Sequence, residues 1–241
     1  MRVLGIETSS RQGTIALVEN GQAVISRASA EPMQGERVLP LLEALFSEAG
    51  WTKGQLDRVA VGVGPGSFTG VRVGVALGLG IGLGLARPTL GVGSLRAMCR
   101  GAKLLPDGQT RGTGPVCGLL DARRNELFGG VYGTDGVELV SPCTVPRGEL
   151  AAWLGALGLP GVLLVGEVLG ELGDPDPDAP VAAAYQSGRS EMTDLPHAVC
   201  VALAATDLSE ELAPAEPCYV RPADAIRPKL PRSPLSSAEP R

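Results

Sequence analysis

Three short apolar runs open the chain, over residues 2–8, 13–19 and 22–27, with polar turns between them. Runs of this length bounded by turn residues predict strands. Asn20-Gly21 between the second and third is a strong hairpin signal, so the chain is expected to begin as a three-strand antiparallel meander with polar tips. A helical pattern follows over about 36–49, where Val38, Leu41, Leu42, Leu45 and Phe46 share one side and Gly50 stops the run. Pro40 is tolerated only in a first turn, which moves the expected start to Val38 or Leu39. An apolar strand over 59–63 then turns through Gly64-Pro65-Gly66-Ser67 into a long apolar run that ends before Pro88. That punctuation predicts a strand–loop–helix unit, its helix running from about Phe68 to about Ala86, a length of about 28 Å.

This helix carries glycine where glycine is costly. Gly70, Gly74, Gly78 and Gly82 recur at every fourth position and form one stripe, while Gly80 and Gly84 lie off it. Each interior glycine costs about 1 kcal/mol relative to alanine, so something must offset the stripe. Close approach of another backbone is the natural offset, as between small-residue faces of paired membrane helices. A helix apolar on all sides is buried on all sides. One face is therefore expected on the home domain and another against a partner, the alternative being a helix buried wholly within its own domain, and Gly78→Leu is expected to break association while leaving the fold intact. The uninterrupted apolar run 73–86 is short for a membrane span.

Beyond that helix the pattern predicts a strand at 89–92 and a helix from 94 to about 103. Residues 104–115 are rich in Pro, Asp, Gly and Thr and mark the best domain boundary. Strands are expected at 116–120, 126–132, 137–140 and 161–165, with helices at 147–157 and 196–212, the last capped by Asp194. The result is a mixed α/β chain in two units, 1–103 and 112–227, with the 196–212 helix free to pack back on the first. A tail over 228–241 is expected to be disordered. No repeat of 20–50 residues is visible.

Composition narrows the function. In 241 residues, 44% are hydrophobic but only 3% aromatic, so the core must be built from Ala, Val and Leu. A net charge of −5 is poor footing for autonomous nucleic-acid binding. The five cysteines are scattered, without Cys-x-x-Cys spacing, and read as reduced, buried thiols of a cytoplasmic protein. Glu7 interrupts the first apolar run, so no signal segment is expected.

Three polar turns could carry chemistry. They are Glu7-Thr8-Ser9-Ser10, then Gly64-Pro65-Gly66-Ser67 at a helix N-terminus, and Asp121-Ala122-Arg123. Glycine loops at helix starts and hydroxyl-rich hairpins suit phosphates, so Glu7, Thr8, Ser9, Gly64, Gly66, Ser67, Arg72, Asp121 and Arg123 are candidate nucleotide or anion contacts. Glu7 serves either a metal or simply the end of a strand. Arg72, a cation in a first helical turn, implies either an acidic partner or anion or an exposed salt bridge. His197 is the sole histidine, which excludes a histidine-pair metal site and the usual Ser-His-Asp chemistry. GPGSFTG lacks the lysine of a phosphate-binding P-loop.

VLGIETSS, VGVGPGSFTGVRVGVALGLG, LLDARRNELFGGVY and CYVRP, in this order and spacing, resemble the bacterial TsaB (YeaZ) family over nearly the whole chain. The resemblance implies a two-subdomain actin/sugar-kinase/Hsp70-like (ASKHA) fold with mixed sheets flanked by helices. It implies a non-catalytic partner of the TsaD transferase, which forms threonylcarbamoyladenosine on tRNA, with a TsaE-type ATPase joining the complex. It also implies a homodimer in the absence of TsaD, tRNA contact only through the complex, no membrane, and no cofactor of its own, with ATP or ADP at the partner interface left open. The family pairs through its first two helices, which assigns Val38, Leu41, Leu42, Leu45, Gly70, Val71, Gly74, Leu77, Gly78 and Gly82 to the partner interface. TsaD's two metal-binding histidines have no counterpart here, where Gly35, Arg37 and Leu39 stand. A small-molecule kinase and a metallopeptidase of the same superfamily are the rival readings, the second disfavoured by those missing histidines.

Overall fold

The computed structural model describes residues 1–29, 35–102, 114–171, 185–188, 194–206, 208 and 213–221, and among these residues it has ten strands and five α-helices. The first half opens with β1 (Arg2–Glu7), β2 (Thr14–Glu19) and β3 (Gln22–Ala28), paired antiparallel. Asn20 and Gly21 both adopt positive φ, 51° and 78°, the requirement of a two-residue primed hairpin turn. Helix α1 (Gly35–Ala49) leads to β4 (Arg58–Gly62), and helix α2 (Phe68–Leu85) to β5 (Thr89–Val92). Both strands run parallel to β1, giving the sheet order β3-β2-β1-β4-β5.

Side chains of β1 alternate between two cores, as the pleat requires. Leu4 and Ile6 join Val59 and Val61 under α1 and α2. Val3 faces the other way, with Ala16, Val18 and Ala60, against the late helix α5 (Ala198–Thr206). Helix α3 (Ser94–Ala102) carries the chain to the second sheet, packing Leu95, Met98 and Cys99 on its strands.

That sheet holds β6 (Val116–Arg123), β7 (Glu126–Tyr132), β8 (Glu138–Pro146), β9 (Val162–Val165) and β10 (Tyr185–Gly188), with α4 (Leu150–Ala156) before β9. Its order is β10-β9-β6-β7-β8, again an antiparallel meander with two parallel strands added beside its first. The chain is thus a topological duplicate. The repeat escapes a search for similar residues because it lies in strand order.

Several expectations change. Pro40 sits inside α1, well past its first turn. At the N-terminus of α5 the Ala198 N–H donates to the Thr14 hydroxyl at 2.9 Å, and the Val199 N–H to His197 Nδ1 at 3.2 Å. The chain changes sheets between α3 and β6, across residues outside the described set, and the 228–241 tail also lies outside it. Cys99, Cys117 and Cys200 are buried, and burial pushes the last two thiols up to about 12, but Cys218 is exposed.

Candidate functional site

The glycine stripe of α2 faces its own sheet. A Cβ at Gly70 or Gly74 would overlap the Thr8 carbonyl or hydroxyl, one at Gly78 the Val61 side chain, and one at Gly82 the Thr89 hydroxyl. Close approach is indeed what these glycines allow, but the neighbours are Thr8, just past β1, and β4 and β5 of the home domain. Thr8 Oγ1 donates to the Gly70 carbonyl at 2.7 Å, and Thr89 Oγ1 to the Gly78 carbonyl at 3.2 Å, so strand hydroxyls dock directly on the helix backbone.

The assignment of the stripe to a partner interface is therefore corrected. Gly74, Gly78, Gly82 and Val71 are buried at home, as are Val38, Leu42 and Leu45, while Leu41 and Leu77 are half-buried against the same core. The expected Gly78→Leu phenotype is corrected with it, because a leucine there would collide with Val61. The outward face of α2 is Ala76, Leu79, Gly80, Leu83 and Gly84. Leu83 is 86% exposed, and Leu39 on α1 is 57% exposed. A Cβ at Gly80 or Gly84 would meet nothing within 4 Å. By length and mean hydropathy, 1.6, α2 would pass for a membrane-spanning helix, yet its glycine face is closed onto the sheet.

The three polar turns converge on one cleft of about 860 Å³ between the two sheets. Ser9, Gly66, Ser67, Arg72, Asp121 and Arg123 line it. Glu7, Thr8 and Gly64 lie buried behind the lining. The first and second turns lock together: the Ser67 N–H donates to the Ser9 carbonyl at 2.6 Å, and a Cβ at Gly66 would overlap that same carbonyl. Only glycine lets the two loops come so near. Ser67 caps α2 by accepting the Gly70 N–H.

Glu7 is fully buried and ends its strand inside a donor cage. It accepts the Ser9 N–H at 2.6 Å and the Ser94 hydroxyl at 3.0 Å. Ser94 also accepts from Ser9 Oγ at 2.9 Å and from the Gly64 N–H at 3.2 Å. Burial raises the Glu7 carboxyl above its ordinary range, and the hydrogen bonds from Ser9 and Ser94 oppose that without cancelling it. The hydroxyls expected to meet a phosphate are thus spent on joining β1, α2 and α3.

On the far wall, Asp121 accepts Arg147 Nη2 at 3.2 Å and the Arg123 N–H at 3.0 Å. Arg147 also holds Glu171 at 3.0 Å. Arg123, Arg124 and Asn125 all adopt positive φ in the turn that follows. Arg11 crosses from the first unit to Glu167 of the second at 2.6 Å. Among the described residues no three His, Cys, Asp or Glu side chains gather into a metal-binding group.

Sequence reasoning missed the strap 213–221. Its Ala213 carbonyl accepts the Gly91 N–H at 2.8 Å, and its Cys218 N–H donates to Val63 at 2.7 Å. Beyond these, Arg221 bonds the Ala122 carbonyl and pairs with Glu126 in the second unit. Tyr219 accepts Arg72 Nε at 2.8 Å and stacks with Phe68, ring centroids 5.2 Å apart. Arg72 lies 3.8 Å over the Phe68 ring, so among the described residues this first-turn cation is held by aromatic side chains. Its scarce aromatics were the one available signal, since Phe68 and Tyr219 are two of six Phe and Tyr residues.

Two like-ordered sheets that feed hairpin tips into a shared cleft define the actin/sugar-kinase/Hsp70 class of folds. A ROK hexokinase from Thermus thermophilus shares that fold, with a TM-score of 0.53 over 86% of this chain and 98% of that chain at 15% identity. Residues 28–151 match the family described as TsaD, tRNA N6-adenosine threonylcarbamoyltransferase. The tRNA threonylcarbamoyladenosine biosynthesis protein TsaB of Haemophilus influenzae is 31% identical over 128 residues, 53% of this chain and 52% of that protein, so the chain spans about half of that relative. YeaZ from Pseudomonas aeruginosa matches with a TM-score of 0.66 and 27% identity over 90% of this chain and 99% of that chain. The chain belongs to the TsaB (YeaZ) family, within the wider TsaD family.

Proposed function

We propose that this chain is a non-catalytic cytoplasmic subunit of the machinery that forms threonylcarbamoyladenosine on tRNA. It binds a TsaD-type transferase subunit, favours that subunit's active arrangement by linkage, and helps recruit a TsaE-type ATPase. In the absence of the transferase it pairs with itself. The observation that carries this reading is the outward face of α2, where Leu79 and Leu83 stand exposed beside Gly80 and Gly84. A long apolar helix with one face closed on its sheet and the other open is a surface built for a partner. Glycines with open space above them let that partner's backbone come close. The cleft supports the non-catalytic part, since its carboxylates Asp121, Glu167 and Glu171 are paired with Arg147 or Arg11 and its Ser9 and Thr8 hydroxyls bond within the protein.

The test is the threonylcarbamoyladenosine content of bulk tRNA in cells depleted of this chain, read by nuclease digestion and mass spectrometry. A fall in the modified nucleoside with a rise in its unmodified precursor is expected. An unchanged level would overturn the role.

A further inference from the structure

The mouth of the cleft holds a stack that none of the fold's own bonding requires to face solvent. Phe68 and Tyr219 are 39% and 45% exposed, side by side, with the Arg72 guanidinium laid over the Phe68 ring. Arg72 has no carboxylate partner among the described residues; rings and the Tyr219 hydroxyl hold it instead. Arg123 lines the same cleft with its side chain 86% exposed, its guanidinium 3.4 Å from the Asp121 carboxylate. Net charge is negative over the whole chain, and Asp121, Glu167 and Glu171 line this cleft beside Arg11, Arg72, Arg123 and Arg221, but Arg72, held by rings and not by a carboxylate, lies against flat, exposed π faces.

We propose that the Phe68–Arg72–Tyr219 stack is a platform for an unpaired base of single-stranded RNA, a surface that rests on the tRNA role proposed above. Planar side chains and arginine planes are what hold splayed bases, and neighbouring cations hold the phosphates on either side. A peptide would need a pocket for its side chains. The stack instead offers an open face, pre-formed because the Arg72–Tyr219 hydrogen bond and the α2 backbone fix both rings. Base stacking tolerates any sequence, so the platform would position RNA and leave its sequence unread.

Titration of the full chain into a fluorescein-labelled short RNA, by anisotropy at low salt, tests this. The single strand should bind more tightly than the same oligonucleotide in a duplex. Phe68→Ala and Tyr219→Ala should each weaken binding roughly tenfold, while Tyr219→Phe, which keeps the ring, should stay near wild type. An abasic nucleotide in the strand should weaken the wild type and add nothing to the loss in Tyr219→Ala. Thermal melts by circular dichroism check that each variant folds. Equal binding of duplex and single strand, or alanine variants that bind as wild type does, would overturn the proposal. So would displacement of the RNA by free AMP at like concentration, which would make the ligand a mononucleotide. Loss of a purified TsaD-type subunit without loss of RNA would make the stack a protein-docking face and sink the RNA reading. If depletion leaves tRNA modification unchanged, the proposed role fails while the titration still decides the platform. If modification needs the chain but Tyr219→Ala supports it fully and binds RNA normally, the platform fails and the role stands.

Discussion

Thr8 and Gly74 are joined so closely that position 74 has room for a hydrogen and nothing more. The Thr8 hydroxyl donates to the Gly70 carbonyl one turn earlier and lies where a Cβ of residue 74 would go. Gly74→Ala and Gly78→Ala are therefore expected to destabilise the fold by about 1–3 kcal/mol through overpacking. Gly84→Ala, facing open space, should stabilise the monomer by up to about 1 kcal/mol through helix propensity. Urea denaturation of the three variants checks the contrast. Equal effects at positions 74 and 84 would mean that the stripe does not face the sheet.

Leu83 is the complementary case. It is exposed in the monomer and central to the open face of α2. Leu83→Glu should leave monomer stability within about 0.5 kcal/mol, as for most surface changes, while abolishing co-sedimentation with a TsaD-type subunit. Sedimentation velocity on the mixture reads the second effect. Retained association would move the interface elsewhere.

Glu7 makes stability depend on pH in an unusual direction. Its carboxyl is raised above the ordinary value of 4.5 by burial. The folded state then holds the proton more tightly than the unfolded state between those two values. The protonated form contributes stability at low pH, and that contribution is lost as pH rises through the raised value. Glu7→Gln removes the titration, so wild type should lose stability relative to the variant between mildly acid and neutral pH. Paired urea melts across that range measure the difference. A gain for wild type with rising pH would mean that the donors outweigh burial.

Calorimetry with MgATP separates the scaffold from a kinase of this fold. Asp121 is tied to Arg147 and to the Arg123 N–H, and Ser9 is turned toward Ser94. Little is left to take magnesium or phosphate, so no saturable heat is expected from the isolated chain. Tight stoichiometric binding would revive the kinase reading.

Local chemistry explains why much of the fold could be read from the sequence. Asn20-Gly21 fixes its hairpin by backbone preference, and Gly64 to Ser67 starts α2 with its own cap. The cost of four spaced glycines forced a close neighbour to exist, but nothing local named it. Val61 and Thr89 come from β4 and β5 and Thr8 from the end of β1's run, and only the pairing of these strands in one sheet brings them under α2. The open glycines at 80 and 84 were passed over because the longer stripe dominated the pattern. Tyr219 meets Arg72 across 147 positions, and no periodicity reaches that far.

Helix α5 has a consequence for how the protein is made. Its backbone lies directly on Gly5, and its Ala, Val and Cys residues cover Val3, Ala16, Val18 and Ala60. A ribosome therefore releases the entire first sheet long before the helix that shields its outer side. For most of translation that apolar side is bare, and every truncated product that stops short of residue 198 keeps it bare. Such fragments are ready clients for chaperones and ready seeds for aggregation, so the cell's supply of this protein hangs on finishing the chain.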